Sequence, residues 1–195
     1  MKNRRTNIKR GFSLIEMMVA VALFAIVMVI STGALLALID ATRKAQALQS
    51  VMNNLNIALD GMVRGIRMGN TYHCGNLGTI SDPRDCQNGN TFFAFESFGG
   101  NTSTISDQLI YNFTTDSNGI GRVYKSVNGG STWFAITAPE VEIEDLNFYV
   151  TGTTVGDDSQ PKVVITVRGT AGAEKAKTKT TFSIQATAAQ RVLDI

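Results

Sequence analysis

The amino-acid sequence predicts an α+β fold, in which a long N-terminal transmembrane α-helix packs on a β-rich globular head. Residues 17–39 form a stretch of 23 residues without charge or proline. About 20 apolar residues in helical conformation span the hydrocarbon core of a membrane. From about residue 70 the chain is rich in Gly, Ser, Thr and Asn and contains short alternating apolar segments, which are typical of strands and turns.

Positive charge is concentrated at the N-terminus, before the apolar stretch. The first eleven residues contain five basic and no acidic side chains, namely Lys2, Arg4, Arg5, Lys9 and Arg10. Since the whole chain carries +2, the remainder carries about −3. The positive-inside rule therefore predicts a cytoplasmic N-terminus and a head on the other side of the membrane. We expect no direct nucleic-acid binding, because the basic residues are not clustered on the folded domain.

Glu16 does not fit a simple membrane anchor. It lies directly before the apolar stretch, and no lysine or arginine occurs between Arg10 and Arg43. A carboxylate at such a place is costly and usually has a functional partner. The partner of Glu16 must therefore come from another molecule.

Two routine alternatives remain open from the residues alone. A secretory signal peptide is one, because Ala45-Gln46-Ala47 offers a small-x-small cleavage site after the apolar stretch. The stretch is long for the apolar region of a signal peptide, however, and Glu16 would have no purpose in it. An uncleaved single-span anchor is the other alternative.

Residues 9–20 closely resemble the class III signal of type IV prepilins and pseudopilins. That signal has a short basic leader, a glycine, an aromatic residue and a glutamate at the fifth mature position, and here these are Gly11, Phe12 and Glu16. The resemblance implies that a prepilin peptidase cuts after Gly11 and methylates the new amine of Phe12. It also implies a pilin-like head.

The implied processing supplies a partner for the isolated acid. Glycine at position 11 lets a peptidase approach the scissile carbonyl closely. Cleavage creates a positive amine on Phe12, which Glu16 of a neighbouring subunit can pair with in the filament core. Such a pair fixes the register of the two helices, because a slip leaves both charges unpaired. The chain is then a substrate and a structural subunit, not an enzyme, and we expect no cofactor.

The sequence divides into four segments. These are a cleaved leader (1–11), a transmembrane or filament-core helix (12–39), a periplasmic half of the same helix (40–69) and the head (70–195). Apolar residues continue at helical spacing through the third segment; they are Leu48, Met52, Leu55, Leu59, Met62, Val63 and Ile66. Gly69-Asn70 predicts the end of the helix.

The head sequence predicts seven strands after an irregular connection at 69–90. The strands are expected at 91–97, 107–114, 121–127, 132–138, 140–150, 162–168 and 179–187. The alternation of apolar residues shifts near Glu144-Asp145, which indicates a β-bulge.

Cys74 and Cys86 lie in the irregular connection. In an oxidising compartment they are expected to form a disulfide, which for a loop of this size is worth about 3 kcal/mol. Two unpaired thiols are the alternative. A zinc site that includes His73 is less favoured, because a fourth ligand is missing and adjacent residues suit tetrahedral ligation poorly.

Three polar loops invite a binding interpretation. Residues 126–133 resemble the Asp-box turn with Asn128 in place of aspartate and with Trp133 at the end, so a structural turn is favoured and glycan binding is the alternative. Residues 116–119 resemble the start of a calcium loop but lack a glutamate at the required spacing, and Asp157-Asp158 is a weaker case. We predict turns and no metal.

Beyond the N-terminus the chain resembles the J-type minor pseudopilins. Residues 140–150 are similar to a Val-x-x-Leu-x-Phe-Tyr strand of that group, and residues 182–191 are similar to its closing strand. The resemblance implies a minor pseudopilin that initiates or caps a type II secretion pseudopilus. It would lie in the inner membrane as a single-pass protein with its head in the periplasm.

The implied partners are the prepilin peptidase, other minor and major pilins or pseudopilins, the inner-membrane platform protein with its assembly ATPase, and membrane lipid. A minor pilin of a type IV pilus that serves adhesion, motility or DNA uptake is the first alternative, and a tip adhesin is the second. An anchored hydrolase has little support, because the chain contains a single histidine and no companion base or third catalytic group is indicated.

Overall fold

The computed structural model describes residues 11–139, 141–156, 159–171 and 179–191, and it confirms the predicted α+β class. Within these ranges the chain forms one helix and nine strands. They are α1 (Leu14–Met68), β1 (Asn70–Cys74), β2 (Cys86–Asn90), β3 (Phe92–Glu96), β4 (Leu109–Thr115), β5 (Gly121–Ser126), β6 (Phe134–Ala135), β7 (Val141–Thr151), β8 (Lys162–Ala171) and β9 (Thr180–Ala189). Of the predicted leader, only Gly11 lies among the described residues; Asp157-Asp158 lies outside them.

The strands form two antiparallel sheets. Sheet A has the order β1-β3-β4-β5-β6, and sheet B has the order β2-β7-β8-β9. Consecutive strands mostly pair as hairpins. The exceptions are the successive pairs β1 and β2, β2 and β3, and β6 and β7, whose members belong to different sheets.

The chain separates into two compact units, Met1–Ala45 and Gln46–Ile195. In the first unit every described residue, from 11 to 45, is exposed. The large apolar side chains of residues 17–39 are thus exposed, and none of the most apolar window of α1 is buried. By length and composition this helix is a candidate membrane span.

In the second unit, α1 buries one stripe of apolar side chains. Its members recur every three or four residues, as one face of a helix requires; they are Val51, Leu55, Leu59, Met62 and Ile66. Four of the predicted positions are thus confirmed as core. The other three flank the stripe and are only half-buried, namely Leu48, Met52 and Val63.

The helix ends where the sequence predicts, and the reason is steric. Gly69 follows the last helical residue, and its N–H donates to the carbonyls of Gly65 and Ile66. A Cβ atom at Gly69 would overlap the ring of Phe95. Only glycine therefore allows β3 to approach the end of the helix so closely.

An aromatic cluster forms the centre of the core. Its rings lie 5.3 to 6.5 Å apart between centroids, in stacked and edge-to-face pairs; they belong to Tyr72, Phe93, Phe95, Tyr111 and Phe148. The Tyr72 hydroxyl donates a hydrogen bond to the carbonyl of Ile66 in the last turns of the helix. Burial raises the pKa of Tyr72, so the phenol keeps the proton that it donates.

The prediction of an irregular connection at 69–90 was wrong at both of its ends. β1 and β2 occupy these ends and pair with β3 and β7. β2 is polar and contains asparagine and glycine, which local preference disfavours in strands, and β1 begins with asparagine. Pairing with neighbouring strands overrides that preference. Conversely, the strand predicted at 132–138 shrinks to Phe134–Ala135.

The pattern predicted for β7 and β8 is confirmed. Val163, Ile165 and Val167 are buried and alternate with less buried neighbours. The register between the two strands shifts between Ile143 and Asp145, which places the bulge at Glu144 as predicted. Glu140, the first residue of the predicted strand 140–150, lies outside the described residues.

The predicted disulfide is present and joins the two sheets. Cys74 ends β1 in sheet A, and Cys86 begins β2 in sheet B, with 5.7 Å between their Cα atoms. Both sulfur atoms lie near the carbonyl oxygen of Phe148, at 3.6 and 3.1 Å. The bond therefore joins the two sheets at the first of the three places where the chain passes from one sheet to the other.

Replacing both cysteines by serine is predicted to destabilise the head by about 3 kcal/mol, because the unfolded chain regains the freedom of the closed loop. Urea unfolding of the full chain in detergent, followed by the fluorescence of the single tryptophan, Trp133, measures this effect. A reducing agent should lower the midpoint of the wild-type protein and leave the double variant unchanged. Equal midpoints for the two proteins under oxidising conditions would contradict the prediction.

Candidate processing and assembly site

The start of α1 is fixed by a serine that the sequence analysis did not single out. Ser13 lies directly before the helix, and its hydroxyl and carbonyl oxygens accept from the N–H of Glu16 at 3.3 and 3.1 Å. This is the N-cap arrangement, which satisfies a backbone donor that would otherwise lack a partner. The signal was visible in the sequence as Ser-x-x-Glu before an apolar run.

The cap leaves the predicted cleavage point outside the helix. Gly11 and Phe12 precede Ser13, carry no secondary structure and are exposed. No atom outside its chain neighbours lies within 4 Å of a Cβ built at Gly11. The described part of the chain therefore gives no reason for glycine at this position, and a requirement for it would come from another molecule.

Glu16 is the third residue of α1 and is exposed, and it forms no ion pair with any residue that the structure describes. Two threonines farther along the helix differ from Glu16, because their side chains have hydrogen-bond partners within the helix. Thr32 and Thr42 donate their hydroxyl hydrogens to helix carbonyls, those of Met28 and Ile39, each at 2.8 Å. Helical threonines can thus satisfy themselves in lipid, whereas a carboxylate at Glu16 needs an external cation.

His73 and the cysteines do not form a metal site. The two cysteines are bonded to each other, and the histidine is buried in β1 with its Nδ1 atom 2.7 Å from the carbonyl oxygen of Asp82. Across the described ranges, no group of three or more His, Cys, Asp or Glu side chains is arranged to hold a metal ion.

The Asp-box-like loop closes on itself. The Asn128 side chain accepts from the N–H of Thr132 and donates to its hydroxyl oxygen, both at 2.9 Å, and the Ser126 hydroxyl donates to Asn128. These groups are used within the turn, as the structural interpretation predicts. Trp133 remains 38% exposed beside the loop, and Phe134 remains 60% exposed.

The predicted turn at 116–119 is likewise held by its aspartate. Asp116 accepts from the N–H groups of Asn118 and Ile120 and from the guanidinium of Arg122, the last at 2.8 Å. The Arg122 hydrogen bond and then that of Ile120 hold the pKa of Asp116 below its usual range. Both carboxylate oxygens of Asp116 thus accept from donors of the turn and of Arg122, as expected of a turn residue.

Comparison with known protein families finds a match in this N-terminal region. Residues 6–32 match the family description "prokaryotic N-terminal methylation motif". No curated protein and no solved structure gives a match to the chain. The match covers Gly11, Phe12, Ser13 and Glu16 together with much of the exposed apolar helix.

The motif indicates the class of type IV pilins and pseudopilins. It implies processing by a prepilin peptidase and assembly with other pilins, and with the apolar helix it indicates anchoring in a membrane.

Proposed function

We propose that this protein is a minor pseudopilin, a structural subunit that initiates or caps a type II secretion pseudopilus. A prepilin peptidase removes residues 1–11 and methylates Phe12. The mature chain is not an enzyme. It lies in the inner membrane with its head in the periplasm, where it contacts other minor and major pseudopilins and is moved by the platform protein.

The observation that carries this proposal is the combination of an unpartnered acid and an unpartnered apolar helix. Glu16 has no ion pair among the described residues, and the 23 residues after it are exposed along their whole length. Both need surroundings that the described residues do not supply. A bundle of like helices supplies them, because each subunit offers a Phe12 amine to the acid of a neighbour and apolar side chains to its helix.

The first alternative is a minor pilin of a type IV pilus, which needs the same two features. The second is a tip adhesin, favoured by the exposed ring of Trp133 beside Phe134. Aromatic rings exposed together are suited to contact with a sugar face or with another protein.

Processing predicts a defined N-terminus. Mass spectrometry of the protein isolated from its native membrane should find a chain that begins with N-methylated Phe12, because the scissile bond lies outside the helix and is accessible. An intact Met1 or a chain beginning at Leu48 would contradict processing at Gly11. A chain that begins with unmethylated Phe12 would support cleavage after Gly11 and contradict methylation of the new amine.

Glu16→Ala is predicted to leave cleavage intact and to abolish incorporation into filaments, because the Phe12 amine of the next subunit loses its partner. Asp40→Ala is the matched control, since it removes an exposed acid at the other end of the apolar stretch. Sheared filament fractions and membrane fractions are compared by immunoblot. Normal incorporation of the Glu16 variant would contradict the pairing mechanism.

Secretion and pilus roles are separated by deleting the gene in the source organism. Loss of exoprotein secretion with pili and motility unchanged is the expected result. Loss of pili or motility with secretion unchanged would replace the secretion role by that of a type IV minor pilin. Complementation by the wild-type gene, but not by the Glu16→Ala variant, should restore the lost function.

A further inference from the structure

A buried carboxylate without a partner lies at the end of sheet A. Glu96 ends β3 and is fully buried, and neither of its carboxylate oxygens has a hydrogen-bond partner among the described residues. The N–H of Ser97 lies near it without forming a hydrogen bond of good geometry. A buried ionised carboxylate without compensation is strongly unfavourable, so this group needs a partner.

A second unpartnered polar side chain faces the same space. Gln108 is fully buried, and neither its amide oxygen nor its amide nitrogen has a partner within the described chain. The register pairs Ala94 with Ile110 and Phe95 with Leu109, so the next step places Gln108 opposite Glu96. Cross-strand neighbours project from the same face of a sheet, and here it is the face opposite the stacked ring of Phe95.

The connecting loop closes this space. The turn at 97–100 is made by the N–H of Gly100 donating to the carbonyl of Ser97, and a Cβ atom at Gly100 would overlap Oε1 of Glu96. The main chain therefore lies directly against the carboxylate. At the other end of the loop, Asp107 accepts from the Thr104 hydroxyl at 2.7 Å and from the Asn101 N–H at 3.0 Å.

The charge of Asp107 acts on the carboxylate of Glu96. Burial first, and the charge of Asp107 second, raise the pKa of Glu96, while the Ser97 N–H opposes the rise. No lysine or arginine of the described chain forms an ion pair with either acid. The oxygen atoms gathered here are carboxylate and amide oxygens, which are the ligands that calcium and magnesium prefer.

We propose that Glu96, Asp107 and the amide oxygen of Gln108 bind a hard divalent cation beneath the loop at 97–107. The ion neutralises the buried carboxylate, satisfies the amide oxygen and fixes the loop against sheet A. Loop carbonyl groups and water complete its coordination, since calcium takes six to eight oxygen ligands. This site is distinct from the N-terminal processing region and from the disulfide.

The test uses the full chain in detergent, stripped of metal with a chelator and then titrated with calcium chloride or magnesium chloride. Binding is measured by calorimetry, and thermal unfolding is followed by Trp133 fluorescence. We expect saturable calcium binding with a Kd of about 10⁻⁴ to 10⁻³ M, a range typical of extracellular modules, and a Tm that rises with calcium concentration.

Glu96→Gln keeps the shape of the side chain and should weaken cation binding at least about tenfold. A loss of about tenfold is the smallest that is expected even when only a hydrogen-bond partner of a metal ligand is removed. Asp107→Asn tests the same site at a half-buried position where folding is less at risk. Glu144→Gln is the matched control, because it removes one negative charge from an exposed bulge, and it should bind calcium as the wild type does.

Three results would overturn the proposal. One is the absence of calcium or magnesium binding by the wild-type chain at about 10 mM, ten times the upper end of the expected range. Another is undiminished binding by both the Glu96 and Asp107 variants, which would place the ion elsewhere. The third is a Glu96→Gln variant that is more stable than the wild type while neither responds to the ions, because Glu96 would then be buried in its protonated form.

Discussion

Helix α1 must bury apolar side chains against two different surroundings along one continuous backbone. Its second half presents a stripe to the core of the head, and this stripe is satisfied within the chain. Its first half is apolar on every face, and its described side chains are exposed. A helix that is apolar all round is stable only inside lipid or a bundle of similar helices. The need for a membrane, and then for a filament, follows from this difference.

The head has a different constraint, because its two sheets share one hydrophobic core. The chain passes between the sheets three times, and the first passage is the connection between the short strands β1 and β2. Tyr72 and Cys74 connect β1 to two other elements. The Tyr72 hydroxyl bonds to the end of the helix, and Cys74 is covalently joined to the first residue of β2. A segment with little intrinsic strand preference is thus held by one hydrogen bond, one disulfide and its neighbours.

Sequence reasoning succeeded where the signal is periodic or local. The core stripe of α1, the end of the helix before Gly69 and the bulge at Glu144 each follow from residue spacing, which reflects the geometry of a helix or a strand. It failed for β1 and β2, because long-range pairing decides their conformation. It could not detect the cluster of Glu96 and Gln108 either. Glu96 and Gln108 are twelve positions apart in the sequence, and only the antiparallel register brings them together.

The clearest distinction between structural and functional residues is whether the chain itself explains them. Gly69 is explained internally, because a side chain there would overlap Phe95, whereas the described residues place nothing near Gly11 that would exclude a side chain. Asp116 is likewise explained by its three donors, whereas Glu16 has an N-cap at its backbone and no counter-charge for its carboxylate. Residue types that are costly or restrictive and have no internal reason require an external one. Gly11 and Glu16 lie five residues apart within a methylation motif, and the proposed cleavage by a peptidase and the proposed pairing with a neighbouring subunit would supply that reason for both.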